Sequence, residues 1–196
     1  MERTRTLPAG NSVASLNPLE IIERFYPPGS LAYTILVEHS RRVAEKALSL
    51  GSRLAGQEVD LQFVEEAAML HDIGIFRIHQ PEIGCYGTLP YICHGVEGRR
   101  LLERLGLPRH AGVCETHIGV GLTKEDIVSN HLPLPRRDMV PETLEEMLVC
   151  YADNFFCKKP GSLHVEMPVE TILARLAKYG DDKVSRFKAW MEIFGV

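Results

Sequence analysis

The sequence lacks any apolar run near the roughly 18 residues needed to cross a bilayer. Its opening stretch, MERTRTLPAGNSVASLNP, lacks the apolar block of a signal peptide. It has no Lys/Arg-rich run, and its formal net charge is −4. Both points argue against a long nucleic-acid partner. A small phosphate ligand stays open, because one local cationic site is enough for it. A disulfide framework is also missing: the five cysteines (Cys85, Cys93, Cys114, Cys150, Cys157) are odd in number and scattered. Reduced thiols, no membrane segment and no leader together predict a cytoplasmic protein. Internal repeats, low-complexity tracts and linkers are absent too. The 196 residues therefore predict one domain over 17–196, with a core over about 30–160, after a flexible tail at 1–16.

Strand-type alternation of useful length is lacking as well, so the expected fold class is all-α, a bundle of about eight helices. Asn17-Pro18 reads as a helix start that stops at Pro27-Pro28-Gly29. Ser30 can cap a helix to about Leu50, with Ala32, Leu36, Val43, Ala47 and Leu50 on one apolar stripe. His39 falls on that stripe. Asp60 can cap a helix that carries Val64, Ala67 and Ala68 and ends in His71-Asp72. Residues 73–91 hold three glycines and two prolines and read as one long loop. Helices are predicted from about Ile92 to Leu105, with His94 near the start, and from Pro108 to about His117. Thr123 with Asp126 resembles a capping box. Pro141 is expected to open a helix through Phe156, with Asp153 beside its apolar face. Pro168 starts another helix that Gly180 ends, and Asp181 caps the last. The aromatic side of that last helix (Phe187, Trp190, Phe194) is open to two uses, closing the core or forming a homodimer.

What is abundant is polar chemistry on apolar helix faces. His39, His71, Asp72, His94, His117 and Asp153 all sit on or beside such faces, on five helices. A buried imidazole or carboxylate is costly unless paired or bound to a cation. Four neutral imidazoles and two carboxylates suit borderline divalent ions: Fe, Mn, Ni or Co fit best, and Mg or Zn is compatible. Two such ions bring +4 and the carboxylates return −2. A site left at about +2 favours an anionic substrate and a bound hydroxide.

The order His39, His71-Asp72, Asp153 on an all-α scaffold resembles the HD-domain superfamily of metal-dependent phosphohydrolases. The tetrapeptide His71-Asp72-Ile73-Gly74 matches the HDIG variant letter for letter. His94 and His117 are similar to the two extra histidines of dinuclear members. The separations along the set are 32, 23, 23 and 36 residues (39 to 71, 71 to 94, 94 to 117, 117 to 153). The resemblance implies that His39, His71, Asp72 and Asp153 bind one metal, and that Asp72, His94 and His117 bind a second, with Asp72 bridging. It further implies that His71 and Asp72 are central to catalysis. The implied reaction is cleavage of a phosphoester or phosphoanhydride bond by metal-activated hydroxide, in a small phosphorylated substrate such as a nucleotide.

Arg77, His79 and Lys158 are the candidate contacts for substrate phosphate. Many HD phosphohydrolases place a Lys or Arg directly after the HDxx step; here Ile75-Phe76 fill that slot and Arg77 follows. Other readings stay open. Some oxygenases share the six-ligand set around a mixed-valent di-iron centre; Tyr33 and Glu38 lie near His39 in sequence, although neither is a clear equivalent of their special residues. The set could also serve a non-catalytic, metal-binding regulatory domain. Cys93, His94, Cys114 and His117 could form a structural Zn site instead. His79, His110, His131 and His164 lie in polar or Pro/Gly-rich contexts and are expected at the surface, although His79 is also weighed as a phosphate contact.

Overall fold

The computed structural model describes residues 16–54 and 56–195. The expected tail at 1–16 lies outside the described residues except for Leu16, which packs on the core. Among the described residues there are nine α-helices, one more than the expected eight or so. They are α1 (Pro18–Glu23), α2 (Leu31–Gly51), α3 (Leu61–Leu70), α4 (His94–Arg104), α5 (Pro108–Thr116), α6 (Lys124–Ser129), α7 (Leu144–Asp153), α8 (Val169–Leu176) and α9 (Asp181–Phe194). No described helix is long and apolar enough to cross a membrane.

Local chemistry sets most starts. The side chains of Asn17, Ser30 and Asp60 accept hydrogen bonds from the backbone N–H of Leu19, Tyr33 and Phe63. Thr123 and Asp126 close a reciprocal capping box at α6. A second box corrects the expected start at Pro141. Thr143 Oγ1 accepts from the Glu146 N–H, and the Glu146 carboxylate accepts from the Thr143 N–H. The helix therefore opens at Leu144, and it ends at Asp153 rather than Phe156. Asp181 is the first residue of α9 rather than its cap; Gly180, at φ 134°, precedes it.

The segment expected as one long loop is built. A 3-10 turn (Ile73–Arg77) leads into β1 (His79–Gln80), a second turn (Pro81–Ile83), β2 (Cys85–Tyr86) and a third turn (Tyr91–Cys93). The strands pair antiparallel, His79 with Tyr86 and Gln80 with Cys85. Two residues per strand are too few to leave an alternating pattern in the sequence.

Two large apolar clusters fill most of the interior, and a third, smaller one gathers Cys93, Val96, Ile127, Leu134 and Met139. One large cluster gathers Val43, Ala47, Val64, Ala67 and Leu148 with Tyr151 and the aromatics of α9. The other large cluster gathers Ile22, Tyr26, Leu36, Leu70, Ile75 and Leu102. Phe187, Trp190 and Phe194 are buried against Tyr151 and its neighbours, so the aromatic side of α9 closes the core. His39 lies between Val37 of one cluster and Val43 of the other along α2. The clusters also change over at the end of α3, beside His71. Polar groups thus sit where the two cores meet.

Candidate metal centre

Each polar residue of the centre is delivered by a helix or a helix end. His39 is inside α2, and His71 and His117 cap the C-termini of α3 and α5. His94 begins α4, Asp153 ends α7, and Asp72 precedes the first 3-10 turn. All six are buried or nearly so; Asp153 has the most exposed side chain, at 16%.

Asp72 is the hub. Its Oδ2 lies 3.1 Å from His71 Nε2 and 3.3 Å from His39 Nε2. Its Oδ1 lies 3.3 Å from His94 Nε2 and 3.5 Å from His117 Nε2. Asp153 Oδ1 is 2.9 Å from His39 Nε2 and 3.4 Å from His71 Nε2. The six therefore form two groups, His39–His71–Asp72–Asp153 and Asp72–His94–His117, with donor atoms inside each group within 4.8 Å of one another.

The rings are oriented by a repeated device. Nδ1 of His71, His94 and His117 lies 2.6, 2.6 and 2.8 Å from the carbonyl oxygen three residues back, on Ala68, Tyr91 and Cys114. A carbonyl only accepts, so Nδ1 carries the proton and donates, which leaves the neutral ring's lone pair on Nε2. The Nε2 atoms of His94 and His117 then face each other at 3.0 Å. Two lone pairs at that distance repel unless a proton or a cation lies between them. In the other group, Nε2 of His39 and His71 and Asp153 Oδ1 are buried without a well-formed hydrogen bond, and so is Asp72 Oδ1. Such atoms are costly unless a cation gathers them. The donor set therefore fits divalent ions, with Asp72 able to reach both groups.

Charge follows the same geometry. Burial resists ionisation of Asp72, but Lys158 and His71 outweigh it and hold the carboxyl well below its usual range. Asp153 is lowered against burial in the same way by Lys158, His39 and His71. Burial opposes a charge on His71, yet Asp72 and Asp153 push it up to about 10, so a metal ion at Nε2 would have to displace a proton held there. Burial carries His117 down to about 4. Lys158 Nζ reaches Asp72 Oδ2 at 2.5 Å; burial opposes its charge, and Asp72 and Asp153 raise its pKa.

The centre forms part of the wall of a cavity of about 540 Å³, lined by His94, His117, Asp153 and Lys158. That volume is in the roughly 300–1,000 Å³ range of small-molecule sites. Of the three candidate phosphate contacts, Lys158 lines this cavity and Arg77 and His79 do not. The 3-10 turn after Asp72 carries Arg77 outward, where it is 56% exposed and 3.4 Å from Glu97. His79 is exposed on β1. Among the other histidines, His131 and His164 are exposed as expected, but His110 is buried. It packs edge-on to Phe63 and lies 3.1 Å from Glu66, partners invisible in its polar sequence context.

The alternative Cys/His zinc set does not assemble. Cys114 Sγ donates to the Leu70 carbonyl and Cys93 Sγ to the Pro133 carbonyl. Tyr33 donates to Glu23, and Glu38 faces His164 at 3.5 Å; neither lines the cavity. No local pattern in the sequence marks Asn154 or Arg175. The Asn154 amide donates to the Gly119 and Cys150 carbonyls, and Arg175 donates to Asn154 Oδ1 at 2.9 Å. These bonds tie the end of the Asp153 helix to the turn after His117.

A helical bundle with a buried His/Asp cluster of this order is compatible with divalent-metal binding. A profile of the HD domain family matches residues 36–156, and the chain belongs to that family. It is 41% identical over 122 residues to an uncharacterized protein of Methanocaldococcus jannaschii, covering 61% of this chain and 64% of that one. It is 34% identical over 136 residues to a tRNA (cytidine(56)-2'-O)-methyltransferase of Thermoplasma volcanium, covering 69% of this chain and 35% of that one. A protein of the same name from Picrophilus torridus is 30% identical over 121 residues, 61% of this chain and 31% of its own length. The chain thus spans under two thirds of the first relative and about a third of the two methyltransferases. No solved structure matches the chain.

Proposed function

We propose that the chain is a metal-dependent phosphohydrolase acting on a small phosphorylated substrate such as a nucleotide. The observation that carries this reading is the division of Asp72: one oxygen faces His39 and His71, the other faces His94 and His117. On this reading His39, His71, Asp72 and Asp153 hold one divalent ion, and Asp72, His94 and His117 hold the second. Fe, Mn, Ni or Co suit this donor set best. Ions held there would supply a hydroxide at neutral pH and polarise a phosphoryl oxygen.

The chain's own residues do the rest. The three i−3 carbonyls lock the rings of His71, His94 and His117, so Nε2 needs no reorganisation. Burial of His39, His71 and Asp72 excludes water from the inner side of the centre. Lys158, on the cavity side, offers an ammonium to the charge that develops on a transferring phosphoryl group.

The methyltransferase name of two relatives does not supply this chain's chemistry. The shared region is about a third of each of those proteins, and the HD match covers the His/Asp cluster here.

The test is product release from nucleotides, cyclic nucleotides and dinucleoside polyphosphates, run without oxygen and with Mn²⁺ or Fe²⁺. Metal-dependent turnover that disappears in Asp72→Ala is expected. Absence of turnover on every member, with the metals shown to be bound, would overturn the reading in favour of an oxygenase or a non-catalytic role.

A further inference from the structure

The cavity continues past the metal centre to residues beyond the family match, which ends at 156. Four cations line it: Lys158, Arg175, Lys178 and Lys183. Two already face a carboxylate. Lys158 reaches Asp72, and the buried Lys183 lies 2.5 Å from Asp126. Arg175 and Lys178 have no carboxylate partner among the described residues. They are three apart at the end of α8 and in the 3-10 turn that follows (Ala177–Tyr179), a spacing that puts them on one side. Arg175 spends one nitrogen, Nη2, on Asn154 and keeps Nε and Nη1. The rest of the lining includes the apolar side chains of Ile118, Val120, Leu122 and Leu176.

The geometry points to a second anion subsite at Arg175 and Lys178, for a ligand that carries a second phosphate away from the one at the metal centre. This rests on the phosphohydrolase reading for the first phosphate. A free phosphate or pyrophosphate would leave the apolar wall and much of the roughly 540 Å³ unfilled. A phosphomonoester with a ring-bearing body and two phosphates uses all three parts. The nucleoside 3',5'-bisphosphates have that chemistry. One phosphate would meet the centre and Lys158, the ring would lie on the apolar wall, and the other phosphate would meet Arg175 and Lys178. These two cations belong to α8 and the turn after it, so the subsite is an addition of this chain's C-terminal helices to the HD region.

The experiment compares adenosine and uridine 5'-monophosphates with the matching 3',5'-bisphosphates. Binding to the full chain with Mn²⁺ is measured by calorimetry, and phosphate release is measured in parallel. The bisphosphates are expected to bind roughly tenfold tighter or more, the scale of a charge-assisted contact. Lys178→Glu should erase that advantage while leaving monophosphate affinity and Tm unchanged, since Lys178 is exposed. Added salt should shrink the advantage, because the subsite is partly open to solvent. Equal affinities in the natural chain, no binding of any of the four, or an advantage that survives in Lys178→Glu combined with Arg175→Gln would each overturn the subsite. Selective bisphosphate binding without cleavage would keep the subsite and sink the hydrolase reading. Cleavage of monophosphates with no bisphosphate advantage would do the reverse.

Discussion

Gly74 and Gly98 lie back to back where α4 crosses the turn after Asp72. A Cβ on Gly74 would collide with the Gly98 amide nitrogen and the His94 carbonyl oxygen, and would stand 3.0 Å from Gly98 Cα. The neighbours are backbone, so they cannot swing away. The glycine of the His-Asp-Ile-Gly stretch is therefore there to let the helix carrying His94 approach the turn carrying Asp72. Gly95 does the same toward α5, where a Cβ would come 2.5 Å from the Cys114 carbonyl. Gly74→Ala is expected to cost about 3 kcal/mol or more, at the upper end of overpacking. It should also separate His94 from Asp72. Thermal unfolding and metal content of the purified variant check both effects; a Tm within a few degrees of the natural chain would contradict the close approach.

The clustering of His39, His71, Asp72, His94, His117 and Asp153 was legible in the sequence because each is a polar group on or beside an apolar helix face. Helical spacing placed His39 between Leu36 and Val43, and the buried position follows. Arg77 misled because nearness in sequence is not nearness in space: a 3-10 turn separates it from Asp72 and directs it to Glu97. His110 misled in the opposite way, since its partners Phe63 and Glu66 come from another helix. Arg175 could not be found from the chain alone. It acts through Asn154, and no local pattern marks a tether between two distant backbones. The short strands at 79–80 and 85–86 were too brief to carry a period.

The two-group division of the centre predicts separable stoichiometry. His94→Gln with His117→Gln removes two of three donors from one group and none from His39–His71–Asp72–Asp153. Metal content, read by elemental analysis after dialysis, should fall from two ions per chain to one. Asp72→Ala strikes both groups and should leave neither. A doubly substituted chain that still holds two ions would show that His94 and His117 are not ligands.

Tyr26 fastens the same turn from the opposite side. Its hydroxyl donates to the Ile73 carbonyl at 2.6 Å and accepts from the Phe76 N–H at 2.9 Å. Its ring is buried, and burial raises its pKa well above the usual value, so it stays a neutral donor. Tyr26→Phe keeps the ring but removes both hydrogen bonds that the hydroxyl makes to this 3-10 turn. The expected loss is about 1–3 kcal/mol. Hydrogen exchange at Phe76 should rise along with the fall in stability. Unchanged exchange there would mean the hydroxyl does not hold the turn.

Asp126 sets the acid limit of the far cavity wall. Burial raises its pKa, but the Lys183 ammonium and the Thr123 N–H and hydroxyl outweigh burial and lower it below the ordinary aspartate value. A carboxyl whose folded pKa lies below its unfolded one binds fewer protons folded than unfolded. Its contribution is therefore fully present above the unfolded value of about 3.9 and is lost as pH falls through the lower folded value. Asp126→Asn should cost about 1–3 kcal/mol at pH 7, where a charge-assisted bond and half a capping box are removed. As pH falls through that lowered folded value, the variant and the natural chain should converge. Denaturant midpoints across pH 2.5–8 test this; a gap that stays constant down the acid limb would show that the carboxylate charge is not what holds α6 to α9.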